Sequence, residues 1–212
     1  MSITIEKIKE SLELCFDEQV SATARWHETE PTQPGDPTDY GLDTLPSLVM
    51  KEHFYNFSLW HVEDDARRRD VDDSIIADCK RRIDRLNQQR NDCIEVIDRC
   101  LCAVLEPLLP VDAAQRQNTE TAGMALDRLS ILALKIYHMQ EQTERVDVDA
   151  QHLRNCSEKL SILRHQREGL AQALLELISD YAAGGKVPVL YSQFKMYNDP
   201  ALNPKLYGKK TG

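Results

Sequence analysis

The sequence predicts an all-α protein built on an antiparallel four-helix bundle, and three observations carry that prediction. Apolar residues recur at three- and four-residue steps over several long stretches, the period of a helix with one buried face. All nine prolines fall between or after those stretches. The segment 57–98 is repeated, without a gap, at 134–175.

Ile5, Ile8, Leu12, Cys15 and Val20 give a first amphipathic helix over 4–27, for which the sequence assigns no partner. Residues 28–46 then hold Pro31, Pro34, Gly35, Pro37, Gly41 and Pro46, a density of breakers that makes this a loop. A helical pattern resumes from Leu48 to about Arg69, and Asp70-Val71-Asp72-Asp73 supplies capping side chains for a helix reaching Leu105. These two helices form a first hairpin over 47–105, ended by Pro107 and Pro110.

A second hairpin follows over 120–181, with one helix from about Glu120 to Arg145 and another after Asp149. Gly184 and Gly185 stop it. The tail over 182–212 carries Pro188, Pro200 and Pro204 among Tyr191, Phe194, Tyr197 and Tyr207, and is expected to fold back across the bundle. Its five lysines face only Asp199, so it would suit an anionic ligand or an acidic bundle surface. The chain of 212 residues reads as one domain.

The repeat has a period of 77 residues. Nine of the 42 paired positions are identical, among them His61/His138, Arg68/Arg145, Asp70/Asp147, Asp72/Asp149 and Arg90/Arg167, where chance would give roughly two or three. The shared Asp-Val-Asp falls at the helix junction of each copy, so each copy is a helix, a turn and a helix.

Arg90 interrupts the apolar stripe Ile83, Leu86, Ile94, Ile97, and Arg167 interrupts its counterpart between Leu163 and Leu170. Guanidinium groups at such positions need acceptors. On the preceding helices His61 shares a face with Asp64, and His138 with Glu141, by i, i+3 spacing. The sequence therefore predicts two pseudo-symmetric clusters facing each other, His61-Asp64-Arg90 and His138-Glu141-Arg167, serving as an ion network that fixes helix register or as a ligand site. Trp60, Glu63 and Arg67 join the candidate ligand-binding set.

Composition narrows the classes. A net charge of -9 opposes binding to nucleic acid. No apolar run suits a membrane span and the N-terminus lacks the apolar stretch of a secretory signal, so a cytoplasmic protein is expected. The six cysteines lie inside helical patterns without metal-site spacing and read as reduced core residues. Nucleophile elbows and glycine-rich phosphate loops are absent.

Asp92, Glu95 and Asp98 share a helical stripe, and Asp64 with Glu95 and Asp98 would be the carboxylates available to magnesium. That layout is loosely similar to the all-α nucleoside triphosphate pyrophosphohydrolases, with Glu95-Val96-Ile97-Asp98 as Glu-x-x-Asp, but His61-Val62-Glu63-Asp64 departs from the paired glutamates of that family. A di-iron bundle would need Glu-x-x-His, and the order here is reversed.

In the blocks Asn56-Phe57-Ser58-Leu59-Trp60-His61-Val62-Glu63-Asp64-Asp65-Ala66-Arg67, Lys80-Arg81-Arg82-Ile83-Asp84-Arg85-Leu86-Asn87-Gln88-Gln89-Arg90-Asn91-Asp92, Phe194-Lys195-Met196-Tyr197-Asn198-Asp199-Pro200 and Asn203-Pro204, the chain resembles an uncharacterised bacterial family, a domain of unknown function (DUF4254-like). The resemblance runs from about Leu48 to Tyr207 and implies an all-helical fold without an activity to carry over. It holds Trp60, His61, Glu63, Asp64 and Arg90, which makes the first hairpin the better place for chemistry.

The function read from sequence is a helical binding or scaffold protein with a buried His/Asp/Arg cluster, no predicted cofactor and a small anionic ligand as the partner. The alternative is a metal-assisted hydrolase of a phosphorylated small molecule or nucleotide, with magnesium, so whether the chain is an enzyme stays open. A homodimer would give the first helix a partner.

Overall fold

In a computed structural model, residues 3–35, 41–194, 196 and 199–208 are described. They form six helices and no strand. Helix α1 spans Ile5–Glu28, α2 Leu45–Asp65, α3 Asp73–Leu105, α4 Ala122–Thr143, α5 Ala150–Ala182 and α6 Pro204–Tyr207. Residues 36–40 of the proline-rich loop and Lys195, Tyr197 and Asn198 of the tail lie outside the described residues.

The duplication governs the architecture. Helices α2 and α4 both begin where a period of 77 places them, and α3 and α5 are each 33 residues long in the same register. Helix α2 packs on α3 and α4 on α5, and α2 meets α4 between the hairpins. At each junction an arginine pairs with the aspartate two residues on: Arg68 Nη2 lies 2.8 Å from Asp70 and Arg145 Nη2 2.7 Å from Asp147.

Local signals set the ends. Thr121 Oγ1 accepts the Met124 amide at 3.1 Å and Asp149 accepts the His152 amide at 2.7 Å, each satisfying a donor the helix leaves open. Pro46 sits in the first turn of α2, where its missing N–H costs nothing, so α2 starts before the Leu48 that periodicity marks. Gly184 takes a φ of 72° after α5, a left-handed turn that favours glycine.

Helix α1 packs on α2, α4 and α5. Ile8, Leu12 and Cys15 of the apolar face that sequence left without a partner are therefore buried within the chain, while Val20 stays exposed, which weakens that reason for expecting a homodimer. The main core joins Ile8 and Leu12 of α1 to Leu48, Ile97, Leu129 and Ile178. A smaller cluster of Leu59, Val62, Cys79 and Ile83 closes the hairpin end. A belt of buried polar residues accompanies these clusters: Gln19, Thr23, Glu52, His53, Asn56, Asp127 and Ser130.

None of the six cysteines forms a disulfide, and five are buried. The tail runs beside the α3–α4 loop, with the Val187 amide on Arg116 O at 2.9 Å and the Gln193 amide on Glu95 at 2.8 Å. Its Phe194 stays in solvent, 85% exposed, while the Tyr191 hydroxyl donates to Asn118 O at 3.4 Å. No helix among the described residues is long and apolar enough to cross a membrane.

Candidate functional site

Arg90 lies on the buried face of α3, and its guanidinium takes the nearest buried carboxylate. Nε and Nη2 donate to the two oxygens of Asp127 on α4, each at 2.6 Å, a bidentate fork. Burial works against the charge on Asp127, but the hydrogen bonds and charge of Arg90, with hydrogen bonds from Glu52 and Asn56, together outweigh it and hold the carboxyl below its ordinary range. Beside it, burial and then the Asp127 charge push Glu52 well above the carboxylate range, so Glu52 is the protonated member.

Asn56 Nδ2 sits among Glu52, Asp127 at 3.0 Å and Ser130 at 2.9 Å. The chain of bonds beyond it has one consistent direction. Thr23 Oγ1 donates to Gln19 O at 2.7 Å, so it must accept from His53 Nε2–H at 3.0 Å. His53 Nδ1 is then an acceptor, facing the Ser130 hydroxyl at 2.8 Å. Burial, with the Arg167 charge, pushes His53 down to about 3 and keeps the ring neutral.

The predicted clusters are rearranged. Arg90 pairs with Asp127 rather than with His61 and Asp64, because Asp64 is exposed while Asp127 offers a desolvated fork. Arg167 donates to Phe16 O of α1 rather than to Glu141, and its Nε is buried without a partner. The repeat explains the difference: the position equivalent to Asp127 in the first hairpin is Met50, so Arg167 has no carboxylate to fork. His138 does meet Glu141, Nδ1 to Oε2, at 2.9 Å.

Asp64, Glu95 and Asp98 do not converge. Asp98 accepts the Gly123 amide at 2.6 Å at the start of α4, and Glu95 accepts from Gln193. Asp64 lines a cleft of about 440 Å³ between α2, α3 and α4, together with Trp60, Glu63, Arg67, Asn87 and Arg90. Arg67 is bound to Glu63 at 3.0 Å on the rim.

A second constellation escaped the sequence reading. His27, at the end of α1, meets His61 and His138, which are repeat mates on α2 and α4. Ring centroids lie 5.2 Å apart for His27 and His61, 4.8 Å for His27 and His138 and 6.0 Å for His61 and His138. Trp60 stacks on His138 at 4.5 Å and Tyr137 on His27 at 4.0 Å.

The family model described as "Protein of unknown function (DUF4254)" matches residues 46–189, which takes in both hairpins and leaves α1 with His27 outside. No curated protein and no solved structure matches the chain.

Proposed function

The chain belongs to the DUF4254 family of proteins of unknown function, and from its residues we propose a binding protein for a small organic anion, held in the cleft between α2, α3 and α4. The observation that carries this reading is Arg90. Its fork with Asp127 fixes the guanidinium at the cleft and leaves Nη1 with a 3.4 Å contact to Asn87. A guanidinium already locked in place loses little freedom when it takes a further acceptor.

The surrounding groups define the ligand. Nη1 can only donate hydrogen bonds and so selects an oxygen acceptor, carboxylate or phosphate. Asp64, exposed at the cleft, selects a hydroxyl or amine donor on the same molecule. Trp60 offers a flat apolar wall beside both. The buried Glu52-Asn56-Asp127 group costs stability that apolar packing would not, which favours a role in holding Arg90 over one in stability alone.

The test is a thermal-shift screen with sugar phosphates, nucleotides and small carboxylic acids, repeated on Asp64→Asn and Arg90→Lys. A ligand that raises the melting temperature of the wild type, less so for both variants, supports the reading. Stabilisation untouched by either substitution, or no anion that stabilises the wild type, overturns it.

A further inference from the structure

The three imidazoles at the crossing of α1, α2 and α4 carry an inference independent of the anion cleft. His27 Nε2, His61 Nε2 and His138 Nε2 are all buried, and none has a hydrogen-bond partner. Ligand atoms of the three residues lie within 4.8 Å of one another. A desolvated imidazole nitrogen without a partner is unfavourable, and three gathered at one point need a common explanation.

The other ring nitrogens supply it. His27 Nδ1 lies 2.7 Å from Thr23 O, which can only accept, so Nδ1 carries the proton and Nε2 the lone pair. His138 Nδ1 lies 2.9 Å from Glu141 Oε2, which fixes the same tautomer. These contacts match the outer-shell partners of metal-bound histidines, a backbone carbonyl for one ring and a carboxylate for another. Trp60, Tyr137 and Phe57 hold the rings by stacking or edge contact, Phe57 at 4.5 Å from His61.

We propose that His27, His61 and His138 form a three-histidine site for a divalent transition metal of the zinc class. Atoms within 4.8 Å of one another share a centre no more than about 2.8 Å from each, and a closing movement of under about 1 Å per ring reaches a zinc–nitrogen bond. Imidazole donors suit zinc, cobalt, nickel or copper and exclude magnesium and calcium, which take oxygen. Three protein ligands leave a fourth position for water or an exogenous ligand. A cavity of about 400 Å³ lined by His27, His61, Glu30, Asp65 and Arg82 adjoins the site and gives that ligand room.

The repeat alone supplies two ligands, His61 and His138, related by its own pseudo-symmetry. The third comes from α1, outside the family match, so metal would also fasten α1 to the duplicated core.

The test uses full-length protein stripped with a chelator and titrated with Zn²⁺, Co²⁺ and Mg²⁺. Expected are one Zn²⁺ per chain by calorimetry, a rise in melting temperature, a visible Co²⁺ spectrum of low-symmetry coordination and no response to Mg²⁺. His27→Ala and His61→Ala each weaken Zn²⁺ at least tenfold, with folding checked by circular dichroism. Glu141→Gln, which leaves all three ligands in place, weakens it roughly 10–100-fold by loosening His138. The alternative occupant is the His152 and Cys156 pair on α5, whose Nε2 and Sγ lie 3.4 Å apart. Binding that survives His61→Ala but is lost in His152→Ala overturns the proposal, as does no stoichiometric Zn²⁺ in the wild type.

Discussion

Arg90 and Asp127 join the two hairpins through a bidentate ion pair, both bonds 2.6 Å, with Asp127 almost fully buried and Arg90 about a quarter exposed. The pair lies off the repeat symmetry, since its arginine has a mate in Arg167 while its aspartate has Met50. Duplication gave both hairpins a core arginine, and only one of them found a carboxylate.

Removing one partner of this pair should cost more than removing both. Asp127→Ala leaves a buried guanidinium beside Glu52 and Asn56 and is expected to destabilise by about 3–5 kcal/mol, whereas Asp127→Leu combined with Arg90→Met is expected to cost much less. Denaturant unfolding of the wild type and of these two variants measures the difference. Equal losses for the single and double variants would mean that the pair contributes packing volume and little charge chemistry.

Two glycines inside helices should respond with opposite signs to alanine. A Cβ on Gly123 would stand 2.7 Å from Asp98 Oδ1 and 2.9 Å from Ile94 O, so α3 and α4 approach each other through the missing side chain. Gly123→Ala is expected to destabilise by about 1–3 kcal/mol through overpacking. Gly169, exposed within α5, has nothing within 4 Å of the same construction. Gly169→Ala is expected to stabilise by about 1 kcal/mol through helix propensity, read as a shift of the denaturant midpoint.

The hairpins were legible because period and punctuation are local: Asp70-Val71-Asp72 and Asp147-Val148-Asp149 mark the same junction in both copies. Even there only the second copy forms a side-chain cap, since Asp149 accepts from His152 while Asp72 makes no such bond. Arg90 was legible as a break in an apolar stripe. Its partner was not, because Asp127 lies outside the aligned stretch 134–175 and its repeat mate is apolar. His27 carries no repeat signal either, and only the packing of α1 against α2 and α4 brings it to His61 and His138. Lys51, Glu52 and His53 form a consecutive polar run in α2 that reads as a solvated turn, yet all three are buried.

His53 should make the fold sensitive to mild acid. The ring is fully buried and linked in one direction, accepting from Ser130 at Nδ1 and donating to Thr23 from Nε2. A second proton on Nδ1 would turn the acceptor into a donor, force Ser130 to reverse and place a charge near Arg167. The folded ring therefore resists protonation down to about 3, whereas the unfolded ring takes a proton near the ordinary 6.5. A depressed folded value means that the unfolded state binds more protons between about 3 and 6.5. The contribution of His53 to stability is complete above about pH 6.5 and is lost progressively as pH falls towards 3. Asp98 acts with the opposite sign: burial raises it to about 6, so its contribution is present below about 4 and fades as pH rises through 6. Because the two overlap, the informative quantity is the difference between wild type and His53→Gln, which keeps an amide donor and acceptor but does not titrate. Unfolding free energies between pH 4 and pH 7 should fall more steeply with acid for the wild type than for His53→Gln. Parallel curves would mean that the folded ring takes its second proton as readily as the unfolded one, with Ser130 turned to accept from Nδ1–H while Thr23 still accepts from Nε2–H.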